Sequence, residues 1–212
     1  PVFATNADTS SSNIPLYVGF SNYDGGADSA NEMVSALEAQ FPDQDTYRVL
    51  NVRGTQGNQS ANQRSQGFLD VMAENDSIEV ESTLNAAYAR DQAQAIVQEY
   101  INANGPVDGI YSGNLSMGLG VVQGLRNLDL LVPKSDENHI VLTQMDGSPE
   151  VNPLVGEGVI DAAVDQPNYF YNVIAMQYMK QYVEAGNDQS VIPEVGSEVT
   201  AADLTIQSGN YK

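Results

Sequence analysis

The sequence predicts an α/β fold built on a parallel, doubly wound sheet. Short apolar or β-branched runs alternate with longer segments, the longer segments carry apolar residues at helical spacing, and turn-forming residues separate the two. Strands that alternate with helices in this way form βαβ units, whose crossovers are right-handed and whose helices cover both faces of the sheet.

The predicted strands are short runs of the kind that parallel sheets bury on both faces. A segment with helical spacing, or a polar loop, follows each run. Such segments can provide the crossover connections that parallel strands need. The predicted strands are 1–4, 16–20, 47–52, 78–82, 107–111, 140–143 and 159–164.

The predicted helices carry apolar residues three or four positions apart, which places those residues on one face. Asn114 precedes one of the helices as a favourable N-cap residue. Gly105 and Gly186 follow the last apolar residues of two others, as C-terminal glycines commonly do. The predicted helices span 27–41, 62–73, 87–101 and 115–125, and a further long helix ends near Gly186.

The charge balance is strongly acidic, with 28 Asp and Glu against 8 Lys and Arg and a net charge of −20. A field of this sign repels nucleic acid and anionic membranes, which argues against both as partners. The acids are dispersed, and no run has the length of an acidic tail. Dispersed acids with few lysines favour a protein that works in concentrated salt, where screening weakens self-repulsion, and an ordinary acidic secreted protein is the alternative.

Catalytic and cofactor motifs are missing from the sequence. Residues 54–60 follow a strand and open a helix, but they lack the Lys of a P-loop and the glycine spacing of a dinucleotide site. No nucleophile-elbow frame surrounds Ser112, and carboxylate pairs such as Asp161 and Asp165 are common by chance in so acidic a chain. The one histidine, His139, stands at a strand entrance, where we expect a partly exposed surface residue. We therefore predict a non-enzymatic protein without metal or cofactor.

Polar residues cluster directly after the predicted strands, at the sheet edge where open α/β folds bind ligands. Asn and Gln amides offer donors and acceptors side by side, and a carboxylate accepts hydrogen bonds from two neighbouring hydroxyls. Nearby tyrosines can cover the apolar face of a sugar ring. This inventory favours recognition of a neutral sugar or polyol. The residues are Asn6, Ser21, Asn22, 54–62, 112–114, Asp146, Gly147 and 165–167.

These same stretches resemble a known family, the ribose- and pentose-binding group of type I periplasmic binding proteins, whose fold the LacI-type regulator core shares. The matching motifs follow one another in the family's order across nearly the whole chain. They are PVFATNAD (1–8) with LYVGFSN (16–22), GTQGNQSANQRSQGF (54–68), IYSGNLSMGL (110–119), and MDGSPE (145–150) followed by AAVDQP (162–167).

The resemblance implies a set of ligand positions. Asn62 stands where ribose-type proteins keep an arginine on the sugar, and Tyr88 where a phenylalanine stacks on the ring. Because Asn62, like Asn6, replaces a charged residue of the family, the ligand need not be ribose. The other implied ligand residues are Asn6, Asn114, Asp146 and Gln166, and the implied supporting residues are Asn22 and Arg64.

The resemblance also implies two lobes that close on each other. Residues 20–166 correspond to the C-terminal ligand-binding lobe, and 1–19 with 167–200 correspond to the N-terminal lobe, most of which we expect to be missing. Residues 201–212 correspond to a C-terminal hinge or tail segment. Hinges are then expected near Phe20, Gln166 and Thr200.

The predicted helix within 168–185 is apolar on more than one face. Soluble monomers avoid exposing such a surface, so we expect the missing lobe or a second subunit to cover it. With one lobe incomplete, we expect this chain alone to bind its ligand weakly.

In function, the resemblance implies the solute-binding receptor of a sugar ABC importer, which delivers its ligand to a membrane permease. Such a receptor works in the periplasm or at the outer cell surface. Two alternatives stay open. One is a co-receptor that reads a sugar-like autoinducer and docks on a sensor kinase; the other is the ligand-binding core of a LacI-type regulator, which the strong acidity disfavours.

Overall fold

The computed structural model describes residues 1–6 and 14–193 and the backbone of 198–200. These residues form two compact units. The smaller unit comprises Pro1–Ser21 and the chain from Gln166 onward, and the larger unit comprises Asn22–Asp165. The chain therefore passes between the units close to two of the predicted hinge positions, Phe20 and Gln166. The predicted tail, 201–212, lies outside the described residues.

Strands and helices alternate along the chain, and the α/β fold class is confirmed. Most predicted elements lie within a few residues of the observed ones, and a short helix at 152–156 was not predicted. In chain order the elements are β1 (Ala4–Thr5), β2 (Tyr17–Gly19), α1 (Asn22–Gln40), β3 (Tyr47–Arg53), α2 (Gln59–Ala73), β4 (Ile78–Asn85), α3 (Arg90–Asn104), β5 (Gly109–Ser112), α4 (Leu115–Asn127), β6 (Val141–Met145), α5 (Asn152–Gly156), β7 (Ala162–Val164), α6 (Asn168–Glu184) and β8 (Glu198–Thr200).

The larger unit is organised around one parallel sheet with the strand order β4-β3-β5-β6-β7. Alternate residues of a strand face opposite sides of the sheet. Leu50, Ile110 and Leu142 belong to an apolar core shared with α3 and α4. On the opposite face, Tyr111 of β5 stacks on Phe68 of α2, with the ring centroids 4.3 Å apart. Helices therefore cover both faces, as a doubly wound sheet requires.

The strand order places a topological switch point between β3 and β5. From β3 the chain runs through α2 to β4 on one side, and from β5 it runs through α4 to β6 on the other. The connections after β3 and β5 therefore diverge and leave a crevice at the carboxyl ends of the two strands. Ligands of open α/β sheets bind in such a crevice.

Two glycines let α1 and α2 approach closely on the face next to this crevice. A Cβ atom at Gly26 of α1 would overlap the backbone carbonyl of Arg64 in α2, and one at Gly67 would overlap the carbonyl of Tyr23. Backbone atoms cannot move aside as a flexible side chain does, so both positions require glycine. This close crossing holds Arg64 against the start of α1.

The smaller unit contains the parallel strands β1, β2 and β8, with β2 in the centre. Helix α6 packs Tyr171, Ile174 and Ala175 on Leu16 and Val18 near β2. Other apolar residues of α6 face solvent. In the described part of the chain, no helix is long and apolar enough to cross a membrane. The exposed residues are Tyr169, Phe170, Val173, Met176 and Val183, with 80%, 37%, 41%, 69% and 52% of their surface accessible.

Several differences from prediction occur at strand ends. The first strand begins at Ala4 instead of residue 1, and the last strand of the larger unit is confined to Ala162–Val164 because 157–161 form turns and bends. In contrast, β3 continues to Arg53 and β4 to Asn85. Pairing with a neighbouring strand sets these ends, and single-sequence patterns do not report pairing.

The expectation for His139 is wrong, because this residue is buried with only 2% of its surface accessible. Nδ1 lies 2.8 Å from the carbonyl oxygen of Val132, and Nε2 lies 2.9 Å from Oδ2 of Asp161. Both ring nitrogens face acceptors, so both must donate, and the arrangement fits the imidazolium form. Burial alone lowers the pKa of His139, but the hydrogen bond and charge of Asp161, with the Val132 carbonyl, raise it above its ordinary value.

This buried ion pair makes stability depend on pH. A raised folded-state pKa means that the His139 contribution is complete below the unfolded pKa of about 6.5 and is lost as pH rises through the folded value. We expect the free energy of unfolding to fall over that range. Urea unfolding at a series of pH values measures it, and His139→Gln is the control because His139 is the only histidine. An unchanged slope in the variant would exclude His139 as its source.

Candidate functional site

Arg64 of α2 connects several of the segments that form the crevice of the larger unit. Its side chain is buried and donates from Nε to Oδ1 of Asn22, at 2.7 Å, and from Nη1 to the carbonyl of Gly113, at 2.9 Å. Nη1 also lies 3.7 Å from Oδ2 of Asp146. One guanidinium therefore ties together the start of α1 and the connections that follow β5 and β6. Asn22 and Arg64, the predicted supporting residues, are direct partners.

Asp146 follows β6 directly and is held in a left-handed backbone conformation, with φ of 70°. Its amide donates to the carbonyl of Val164, at 2.8 Å, and Gln144 donates from Nε2 to its carbonyl, at 2.9 Å. The side chain accepts a hydrogen bond from the amide of Leu115, 3.3 Å from Oδ2. These contacts fix the carboxylate at the carboxyl edge of the sheet, next to the first turn of α4.

Asn114 is the N-cap of α4, as predicted, and its Oδ1 accepts from the amide of Met117 at 2.9 Å. Capping occupies one lone pair of Oδ1 and fixes the side chain, so the Nδ2 donors are the part of this amide best suited to a ligand. Asn114 and Asp146 both bind backbone amides in the first turn of α4, because Asp146 accepts from Leu115, the residue after Asn114.

Tyr88 lies on the backbone of Gly54, the first residue after β3. A Cβ atom at Gly54 would overlap the tyrosine ring. The consecutive residues Ala87 and Tyr88 have φ of 50° and 63°, a conformation that sterics disfavour for residues other than glycine. This strained turn, with a 3.2 Å hydrogen bond from the Tyr88 hydroxyl to Oδ1 of Asn58, fixes the half-buried ring beside the crevice. Strain of this kind concentrates at functional sites.

The charged residues of the crevice affect the pKa of the Tyr88 phenol. Burial raises the pKa of the Tyr88 phenol; the charge of Arg64 opposes this rise, that of Asp146 adds to it, and that of Arg53 opposes it. The phenol therefore stays neutral at physiological pH and can donate or accept.

Asn62 is exposed on the first turns of α2, and its Oδ1 accepts from Nη2 of Arg53. Arg53 is the last residue of β3 and was not predicted as a site residue, because the predicted strand ended at 52 and the polar edge was taken to begin at 54. The sequence did offer one signal for this residue, because Arg53 is a cation that directly precedes the glycine-containing segment 54–57. Asn58, which caps α2 and binds the Tyr88 hydroxyl, was part of the predicted edge but was not singled out.

The larger unit thus brings together most of the predicted site residues, namely Asn22, Asn62, Arg64, Tyr88, Asn114 and Asp146. Asn6 and Gln166 belong to the smaller unit. Asn6 follows β1 with φ of 65°, and its amide donates to the carbonyl of Val18 at 3.0 Å. Gln166 is 9% exposed, and its carbonyl accepts from the amide of Asn168 at 2.8 Å.

The chemistry of the crevice is that of hydrogen-bond recognition. It combines a carboxylate, carboxamides, a tyrosine ring and guanidinium groups at the carboxyl ends of β3 to β6. Within 1–6 and 14–193, no three His, Asp or Glu side chains are grouped so as to hold a metal ion. The carboxylate, carboxamides, guanidinium groups and tyrosine ring of the crevice offer donors, acceptors and one aromatic face to a small polar molecule.

Comparison with known proteins gives a consistent relationship. The profile of the family described as "Periplasmic binding protein domain" matches residues 1–188. The D-allose-binding periplasmic protein of Escherichia coli K12 is 23% identical over 188 residues, which are 89% of this chain and 56% of the relative. The D-apiose import binding protein of Actinobacillus succinogenes is 22% identical over 167 residues, 78% of this chain and 50% of the relative. The chain therefore spans about half the length of these curated relatives.

Among solved structures, an ABC transporter periplasmic solute-binding protein of Actinobacillus succinogenes 130z with bound D-allose has the same fold. The TM-score is 0.78 at 22% identity, and the match covers 92% of this chain and 64% of that protein.

Proposed function

Because this chain belongs to the periplasmic binding protein domain family, we propose that it binds a monosaccharide or polyol as the solute receptor of an ABC importer. The observation that carries the proposal is the crevice of the larger unit. There a fixed carboxylate, Asp146, and a fixed aromatic ring, Tyr88, lie at the switch point of the sheet beside the clamped Arg64.

Each group has a distinct role in this proposal. Asp146 accepts hydrogen bonds from two adjacent hydroxyls, Asn62 and Asn114 donate from their amides, and the Tyr88 ring covers an apolar face of the sugar. Asn6 and Gln166 are proposed as contacts from the smaller unit. Relatives named for D-allose and D-apiose support a small monosaccharide as the ligand class.

The proposed mechanism requires no bond making or breaking. A ligand that contacts two lobes binds their closed arrangement more tightly and thereby shifts the population toward closure. The chain segments near Phe20, Gln166 and Thr200 are the proposed hinges. The closed, loaded protein then docks on a membrane permease, and it works outside the cytoplasm, as the name of the E. coli relative states for that protein.

The exposed apolar face of α6 is proposed as a surface that the N-terminal lobe or a second subunit covers. Tyr169 and Met176, 80% and 69% accessible, lie on it. Sedimentation velocity distinguishes between these two possibilities. Concentration-dependent dimers that Met176→Lys dissolves would indicate a second subunit, and a monomer at all concentrations would exclude it.

Saturation-transfer-difference NMR tests the proposed function without requiring tight binding. The chain is mixed with millimolar D-allose, D-arabinose, D-ribose, D-galactose and myo-inositol in separate samples, with sucrose in a further sample as a disaccharide for comparison. We expect saturation transfer to at least one monosaccharide or polyol, and a weaker signal when a second ligand of the panel that binds more tightly competes for the site. A folded chain that transfers saturation to none of them would contradict a neutral monosaccharide or polyol as the ligand.

A further inference from the structure

We propose that Arg53 makes this site selective for an acidic monosaccharide, a uronic or aldonic acid, whose carboxylate it binds. This inference rests on the proposed function and replaces the neutral ligand that the sequence predicted. The observation that carries it is an uncompensated guanidinium at the ligand edge of a chain whose net charge is −20.

Arg53 differs in its partners from the other arginines near the sheet. Arg48, on the same strand, pairs with Glu81, Arg64 pairs with Asp146, and Arg90 pairs with Glu150. Within the described ranges, Arg53 has no carboxylate at ion-pair distance, and the hydrogen bond of its Nη2 goes to the neutral amide of Asn62. In so acidic a protein, a partly buried arginine that faces no acid indicates that the negative partner comes from elsewhere.

The side chain also has unused donors. Its Nε is buried and without a hydrogen-bond partner. A buried donor left unsatisfied costs free energy, and such a group in a native structure calls for an explanation. A guanidinium presents its N–H groups as a planar fork that matches the two oxygens of a carboxylate. The Nη groups that Asn62 leaves free are the donors that a ligand carboxylate can reach, and a small shift of the side chain would be needed to expose Nε as well.

The position is suited to an acid attached to a sugar ring. Arg53 ends β3, one residue before Gly54, on which the Tyr88 ring lies. The neighbouring charges, Arg64 and Asp146, compensate each other across 3.7 Å, so the charge that remains on the β3 side of this edge is that of Arg53. A sugar ring on Tyr88 with hydroxyls near Asp146 would therefore place an anionic substituent best on the β3 side.

Matched ligand pairs test this inference. Dissociation constants of the chain are measured by ¹H–¹⁵N NMR titration for galactose and galacturonate, glucose and glucuronate, arabinose and arabinonate, and ribose and ribonate, all at low ionic strength. We expect at least one acid to bind about tenfold more tightly than its neutral partner. We expect Arg53→Gln to remove this preference and Arg53→Lys to keep part of it. Arg126→Gln should leave it unchanged, because the side chain of that exposed residue of α4 has Gln123 as its one hydrogen-bond partner among the described residues.

The outcomes separate this inference from the proposed function. If neutral sugars bind and no acid binds more tightly, or if Arg53→Gln keeps the preference, the role of Arg53 is wrong while the receptor function stands. An equal response to acetate and to the best acid would also overturn it, since the sugar ring would then contribute nothing. Binding of no carbohydrate, neutral or acidic, would overturn the proposed function and this inference together.

Discussion

Replacing Arg64 by methionine is expected to lower the free energy of unfolding by about 3 kcal/mol, because removing one partner of a buried ion pair leaves the other uncompensated. Methionine retains much of the apolar stem but satisfies neither Oδ1 of Asn22 nor the carbonyl of Gly113. The estimate lies at the lower end of the range for buried pairs because the Asp146 side chain is 21% exposed and solvent screens it.

Urea unfolding followed by circular dichroism measures this effect. Arg126→Met is the matched control, since Arg126 is exposed on α4 and its side chain, in the part of the chain that the structure describes, is hydrogen-bonded to Gln123 alone. Surface changes of this kind stay within about 0.5 kcal/mol. If Arg64→Met unfolds at the same urea concentration as the control, Arg64 does not clamp the crevice.

The second large effect concerns ligand affinity. Tyr88→Ala is expected to weaken sugar binding about 10- to 100-fold, because it removes the aromatic surface that covers the ring, and burying such a side chain contributes about 1.5–3 kcal/mol. Tyr88→Phe keeps the surface and loses only the hydroxyl contact to Asn58, so its affinity should stay within about threefold of the original.

NMR titration of both variants with the sugar that binds best provides the measurement. All three residue types meet the same left-handed backbone at position 88, so the comparison between the variants isolates the ring. Equal losses for Tyr88→Ala and Tyr88→Phe would assign the effect to the hydroxyl, and no loss in either would remove Tyr88 from the site.

The fold class was predictable because the pattern that encodes it is local. Buried parallel strands appear as apolar runs, and helix ends carry their own signals; Asn114 caps α4, and Gly105 ends α3 with φ of 84°. The strand order and the close crossing at Gly26 and Gly67 were not predictable, since they depend on contacts between residues far apart in sequence.

The site was predictable in outline because residues after parallel strands share one edge of the sheet. Its details depended on where each strand ends. Pairing with β4 extends β3 to Arg53, and that single residue brings a guanidinium to the edge that the apolar run did not indicate. His139 was misjudged for a similar reason, because its partners, Val132 and Asp161, come from a loop and from the approach to β7.

The most direct test of the account is a map of where a sugar binds. A ¹H–¹⁵N correlation spectrum of the chain is recorded with and without the carbohydrate that binds most tightly. The chemical-shift change of each backbone amide shows which residues lie near the ligand. We expect the largest shifts at the carboxyl edge of the larger unit's sheet, in 53–62, 88, 113–115 and 146–147. Shifts confined to the α3–α4 face or to the exposed side of α6, with this edge unchanged, would contradict a sugar site at the switch point.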